Sequence, residues 1–268
     1  MAATAPASVL LEAHDEGSGP VVLLLHGIGG DRSVWNAVVP RLVGSYRVIA
    51  PDLRGHGRSP APPGAQYSFD ELLGDVVHLL DTKGIPSAHW VGLSGGAFLA
   101  LRAALDRRER LRSLTLISGA AYTDAHTRSV TDRLIETYAK DGPDAYALRL
   151  LKDLYYPDWI EAHLDFADRI RDGIAARELG PATAWTRAAD RFDERNRIAS
   201  IVLPVLIVQG MDDAVIDPAH GRILRQSIAR SQIRILPQTG HMVPLERPAE
   251  TAVAIAGFVA SVEATSSP

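Results

Sequence analysis

The stretch that most limits what this chain can become is Trp90-Val91-Gly92-Leu93-Ser94-Gly95-Gly96-Ala97-Phe98. An apolar run of β type, Ala88 to Leu93, meets a serine flanked by glycines, and a helical run from Ala97 to Arg107 follows at once. A strand hands over to a helix this abruptly only if the turn residue takes a strained, positive-φ conformation and its neighbours are small. Gly92-Leu93-Ser94-Gly95-Gly96 fits G-x-S-x-G. In a strand–turn–helix setting that pattern holds a serine hydroxyl out at the top of a sheet. The same residues also suit a glycine-rich turn with an incidental serine, and the rest of the chain has to decide between the two.

The flanking pattern places the turn in an alternating α/β chain. Ser8 to Glu16 alternates weakly and reads as edge strands. Val21–Leu25, Tyr46–Ala50, Leu114–Ile117 and Val205–Val208 are short, continuously apolar runs, which suit strands buried on both faces of a parallel sheet. Ile233–Leu236 reads as the last strand. Helices are expected over Val34–Val43, Phe69–Lys83 (stopped by Gly84), Asp217–Ala229 and Pro248–Val262. The expected fold class is therefore α/β, a doubly wound and mostly parallel sheet. From Tyr122 to Asp193 the β-type runs vanish, and helical patterns rich in Arg and Asp are interleaved with aromatics. This reads as a helical cap over residues 121–193, inserted into a core of 1–120 and 194–268; ordinary scaffold helices are the plainer alternative. Pro60–Gly64 reads as a loop and Thr265–Pro268 as a disordered tail.

Composition removes several function classes. A net charge of -4 offers no basic excess for nucleic acid or acidic lipid. The run Arg107 to Arg112 sits where a helix meets a strand and reads as a solvated connection. With no cysteine there is no disulfide, no thiolate nucleophile and no Cys-ligated metal. The first six residues lack the basic and apolar regions of a signal peptide, and no apolar stretch reaches the roughly 20 residues needed to span a bilayer. A cytoplasmic protein is expected, and no signal for an oligomeric state is visible.

A serine hydroxyl needs a base to take its proton, and the base needs a carboxylate to fix its tautomer. Both should follow strands, at the sheet edge where Ser94 is displayed. Asp212 and Asp213 follow Val205–Val208, and His241 follows Ile233–Leu236. The order Ser…Asp…His matches this architecture. Of nine histidines, His26 and His56 also follow strands but precede Ser94, His78, His89 and His220 fall within expected elements, and His14, His126 and His163 lie in edge or cap regions with no acid partner at a strand end, which leaves His241. The G-x-x-D spacing from Gly210 favours Asp213 over Asp212, and Asp217 reads as a helix cap. An oxyanion hole needs two backbone N–H groups, assigned to Gly95 and Ile28. His26, Trp35, Tyr122 and Trp159 are candidate pocket residues. Gly27 to Arg32 lacks the last glycine of G-x-G-x-x-G, and neither a Walker A nor an H-E-x-x-H pattern occurs, so no cofactor and no metal are expected.

These residues resemble the α/β-hydrolase superfamily over essentially the whole chain. The likeness rests on His26-Gly27-x-Gly29-Gly30 with Trp35 downstream, Asp52-x-Arg54-Gly55-His56-Gly57-x-Ser59, Gly92-x-Ser94-x-Gly96, Gly210-x-x-Asp213 and Gly240-His241. Similar members are enol-lactonases, carboxylesterases and C–C bond hydrolases, which carry a helical lid where Tyr122–Asp193 sits here. The resemblance implies a serine hydrolase of the esterase or lactonase type, acting on a small-molecule ester or lactone. The cap aromatics suggest an apolar part in that substrate, though they equally suit plain packing of the cap. A vinylogous diketone cleaved at carbon, a perhydrolase reaction, and a small-molecule receptor on the same fold stay open. Dehalogenases and epoxide hydrolases of this fold use an aspartate nucleophile, against which Ser94 argues. Many relatives have a bulky residue, often methionine, after the serine; Gly95 is expected to widen the site there.

Overall fold

A run such as Val21–Leu25 has no polar side chain to give to water, so a strand made of it must be covered on both faces. A computed structural model, which describes residues 8–62, 67–175 and 179–266, shows how this is done. The strands are β1 (Ala13–Glu16), β2 (Val21–Leu25), β3 (Arg47–Pro51), β4 (Ala88–Leu93), β5 (Leu111–Ile117), β6 (Val205–Gly210) and β7 (Ser231–Leu236). They form one sheet in the order β1-β3-β2-β4-β5-β6-β7, with β1 antiparallel to β3 and every other pairing parallel. Alternate residues feed two separate cores. Leu23, Leu25, Trp90 and Ile207 pack on one face, and Val22, Leu24, Val91 and Leu206 on the other.

The helices follow from the same need for cover. α1 (Phe69–Thr82) and α2 (Gly95–Asp106) shield the first face with Leu72, Val76, Leu99 and Leu101. α1 is started by a capping box between Ser68 and Glu71. Among the described residues, the α-helices between β5 and β6 are α3 (Ala125–Leu154), α4 (Pro157–Glu161), α5 (Leu164–Ala175) and α6 (Gly180–Ala189), followed by a 3-10 turn at Ile198–Ser200. The chain leaves and re-enters the sheet layer through one narrow neck. Tyr122 and Asp193 form an antiparallel bridge, and the Thr123 and Glu194 N–H groups donate across it to Phe192 and Ala121. After β6 come α7 (Ala219–Ser227), α8 (Val243–Glu246) and α9 (Pro248–Ser266), the last shielding the second face with Ile255, Phe258 and Val259. Among the described residues no helix is long and apolar enough to cross a membrane.

Several boundaries differ from expectation, each for a local reason. The helix expected over Val34–Val43 is instead two short 3-10 turns, Arg32–Trp35 and Val39–Arg41, because Pro40 has no N–H to continue an α-helix. Only the Ala13–Glu16 end of the first segment pairs as a strand. The closing helix runs on to Ser266, and the helix expected over Asp217–Ala229 is confined to Ala219–Ser227. The expectations for residues 1–6, for 63–64 and for 267–268 lie outside the described residues.

The edge strand β1 is held by charge. Asp15 accepts from Arg47 Nε at 2.9 Å and from Lys83 Nζ at 2.8 Å, tying β1 to β3 and to the end of α1. These partners, Arg47 foremost, lower the Asp15 carboxyl from 3.8 to about 2. A depressed folded pKa means stability that is present above 3.8 and lost as pH falls toward about 2. The Asp15 side chain is 24% exposed, so screening trims the effect. Asp15→Asn is expected to cost on the order of 1–2 kcal/mol at neutral pH. Urea titrations at several pH values should show that difference closing between pH 4 and 2; a constant difference would show that the charge does not act this way.

Candidate active site

Three residues outside glycine take positive φ in the described chain: Ser94 (φ 53), Ser118 (φ 48) and Gln238 (φ 50). Each stands just past the C-terminal end of β4, β5 or β7, so the backbone strain gathers at one edge of the sheet. At Ser94 the local packing explains it. A Cβ on Gly96 would sit 2.5 Å from the His26 carbonyl oxygen and 2.6 Å from that of Leu25, and one on Gly92 would strike the Gly96 carbonyl. Strand and helix therefore meet through bare backbone, and Ser94 becomes the residue that caps α2.

His241 and Asp213 meet on the neighbouring loops. The imidazole Nδ1 lies 2.8 Å from Asp213 Oδ2 and 3.0 Å from Oδ1, with both residues buried. A carboxylate only accepts, so the ring directs an N–H at Asp213 from Nδ1 and leaves Nε2 as its other face. Asp213 Oδ1 also accepts from the Val215 and Ile216 N–H groups at 2.9 Å, and the Gln209 amide donates to Oδ2 at 3.3 Å. Asp212 is exposed, and it is Asp213 that holds the ring. The backbone of the histidine is also fixed: the Ser118 hydroxyl donates to the His241 carbonyl at 2.8 Å. Ser94 joins this pair by position, since Ser94 and His241 line one cavity of about 870 Å³, counting its open mouth.

Ile28 and Gly95 line the same cavity. The Gly95 N–H belongs to the first turn of α2, where a helix cannot satisfy its own donors. The loop bearing Ile28 hangs from the loop after β3. His26 Nε2 accepts from the Leu53 N–H at 2.9 Å, His56 Nε2 accepts from the Gly29 N–H at 3.2 Å, and Asp52 Oδ1 accepts from the Arg32 N–H at 2.8 Å. Arg54 anchors that second loop through a buried pair with Asp75, 2.7 Å from Nε to Oδ2. The histidines and aspartate of these motifs thus set loop position.

The four candidate pocket residues lie outside the cavity wall, and each for a packing reason. His26 is fully buried, its ring taken by Leu53 and by the Gly27 carbonyl at 2.8 Å. Trp35 fills the core on the α9 face of the sheet. Tyr122 sits at the neck, edge-on to His220 and beneath the Arg195 guanidinium, 4.2 Å from its ring centre. Trp159 stacks between Tyr155 and His163 within the inserted helices. The wall is built of smaller residues. Phe98 lies one turn beyond Ser94; Thr127, Thr131, Leu134 and Ile135 form one face of α3; Val215 and Ile216 follow the acid. The spacing 127, 131, 134, 135 is a helical face visible in the sequence, though its direction is not.

Gly95 does not widen the site. A Cβ there would lie 2.5 Å from Ile28 Cγ1 and 3.2 Å from Trp185 Cζ2, so those two side chains already hold the space. Trp185 comes from α6 and also rests edge-on against His56, with ring centres 5.4 Å apart.

α3 ties the site together from above. It is two helical legs joined at Gly142 (φ 84), with Tyr138 and Tyr146 meeting edge to face across the bend. At its first turn His126 Nε2 donates to the Ala214 carbonyl at 3.0 Å and Thr127 Oγ1 to that of Val215 at 3.1 Å, both on the loop after Asp213. At its last residue the Leu154 carbonyl accepts from the His241 N–H at 2.9 Å and the Met242 N–H at 3.2 Å. Glu246 reinforces this second joint, its Oε2 accepting from the Gly240 and Tyr156 N–H groups at 2.9 and 3.0 Å. Burial pushes the Glu246 carboxyl up, against the pull of those donors.

Such a site brings an alcohol, an imidazole held by a carboxylate and the backbone of Ile28 and Gly95 to one cavity, a set of groups that acyl transfer can use. Known proteins agree in kind. Residues 20–248 match the family model described as the alpha/beta hydrolase fold. A RutD protein of Variovorax paradoxus, provisionally named a carbamate hydrolase, is 32% identical, the alignment covering 96% of this chain and 98% of its own. The 2-hydroxymuconate semialdehyde hydrolase of Pseudomonas sp. strain CF600 is 30% identical over 96% and 93% of the two chains. The crystal structure of an enol-lactonase from Burkholderia xenovorans LB400 superposes with a TM-score of 0.85 at 28% identity, over 93% and 96%.

Proposed function

Because the chain belongs to the alpha/beta hydrolase fold family and is a hydrolase like its named relatives, we propose that it cleaves a carboxylic ester or lactone through an acyl-enzyme. Ser94 is the nucleophile, His241 the base and Asp213 the residue that orients and charge-balances the imidazole. The observation that carries this reading is the two-point contact of Asp213 with Nδ1 of His241, a residue that lines the same cavity as Ser94. It leaves Nε2 as the lone pair able to take the serine proton.

Ser94 Oγ attacks the carbonyl as its proton passes to His241 Nε2. The Ile28 and Gly95 N–H groups receive the charge on the carbonyl oxygen, with the start of α2 behind them. The imidazolium returns its proton to the leaving oxygen; for a lactone that oxygen stays tethered to the acyl group. Water then attacks the acyl-enzyme by the same relay. α3 to α6 act as a cap over this site. A C–C bond hydrolase is the second reading, favoured by the likeness to the 2-hydroxymuconate semialdehyde hydrolase.

A fluorophosphonate probe, with the labelled peptide read by mass spectrometry, should mark Ser94 alone. A panel of neutral aryl esters, lactones and vinylogous diketones should then show turnover of esters or lactones. Turnover of the diketones alone would move the assignment to the second reading, and labelling without turnover of any of them would make the protein a receptor.

A further inference from the structure

The chemistry of the cavity wall also fixes the charge of what can occupy it. Five threonines line it, and four have given away their single hydroxyl proton. Thr123 donates to the Ala189 carbonyl at 2.6 Å, Thr127 to Val215 at 3.1 Å, Thr131 to Arg128 at 3.0 Å and Thr186 to Ala182 at 2.9 Å. What they offer a ligand is a methyl group and an oxygen lone pair. Much of the remaining wall is aliphatic, as at Leu134 and Leu150. Besides His241 and the Tyr146 phenol, the ionisable lining group is an acid, Asp190. Its partner Arg187, 3.1 Å away, stands outside the wall and is shared with Asp132. Among the described residues no lysine or arginine lines the cavity.

We infer, resting on the hydrolase reading above, that the substrate is electrically neutral. Its acyl chain or lactone ring is aliphatic, and a second carboxylate remote from the scissile carbonyl excludes a compound. A neutral chain asks only for apolar contact. A carboxylate would exchange its water shell for a wall of methyl groups, committed hydroxyls and a like charge, with the Thr183 hydroxyl and the Tyr146 phenol as neutral donors and no cation to balance it among the described residues, and a buried anion so poorly paired is disfavoured.

The test is a set of three aryl esters of one length: the half-ester of adipic acid, the same half-ester with its carboxylate capped as a methyl ester, and an isostere with an isopropyl group in place of the carboxylate. The two neutral compounds should be turned over, with kcat/KM for the anion lower by about 100-fold or more. Dissociation constants for the same three on Ser94→Ala, read by calorimetry, should show the same order. The binding arm decides the charge question even if no ester is hydrolysed, a result that would overturn the hydrolase reading instead. An anion bound and cleaved within about threefold of its neutral partners would overturn this inference.

Discussion

Ser94→Ala is expected to lower kcat for a neutral ester by on the order of 10⁵- to 10⁶-fold, while leaving the fold intact. The residue has φ 53, so alanine inherits the same backbone strain as serine and adds none. Neither does it touch the Asp213–His241 contact, which comes from other loops. What disappears is the alcohol, and with it the acyl-enzyme. Residual catalysis would come only from binding and from the Ile28 and Gly95 N–H groups acting on direct attack by water. Single-turnover kinetics beside a melting curve would check this. More than a tenth of wild-type activity in a pure preparation, with the melting temperature unchanged, would remove Ser94 from the mechanism.

Asp213→Asn should cost on the order of 10³- to 10⁴-fold in kcat, and Asp212→Asn close to nothing. The reason lies in which oxygen is already committed. Oδ1 accepts two backbone N–H groups, from Val215 and Ile216. An asparagine must turn its carbonyl oxygen toward them, and its NH₂ then takes the place of Oδ2, 2.8 Å from His241 Nδ1. To accept from that NH₂ the ring must move its proton to Nε2, where it can no longer take one from the serine. Gln209 Nε2, 3.3 Å from Oδ2, would meet a second donor and resist the change further. Asp212 is exposed and carries no such duty. A pH–rate profile on both variants decides the matter: equal losses would mean that neither carboxylate works through the ring.

The sheet was legible because its evidence is local. A run such as Val205–Leu206–Ile207–Val208 states its own burial on both faces, and Gly92–Gly96 states its own turn. The expectation for Ser94, Asp213 and His241 drew on the same local evidence, since each stands on the loop after a strand, and the structure sets Asp213 against the His241 ring and puts His241 on the cavity that Ser94 lines. The pocket wall was not legible, because size misled. The large aromatics of the insertion, Trp159 among them, satisfy one another, and smaller threonines and leucines face the cavity. Nor could the sequence show that room left open at Gly95 is taken up by Ile28 and Trp185, residues 67 and 90 positions away by the numbering. The roles of His26 and His56 depend on which loop lies beside which, a fact of three dimensions only.

The double attachment of α3 bears on any attempt to retarget this enzyme by transplanting a lid. Its two feet stand on the loops of Asp213 and of His241, so under the proposed mechanism a foreign insertion would disturb the Asp213–His241 pair while it reshaped the pocket. A graft confined to the arch around Gly142, with Thr127 and Leu154 kept native, would leave both footings in place.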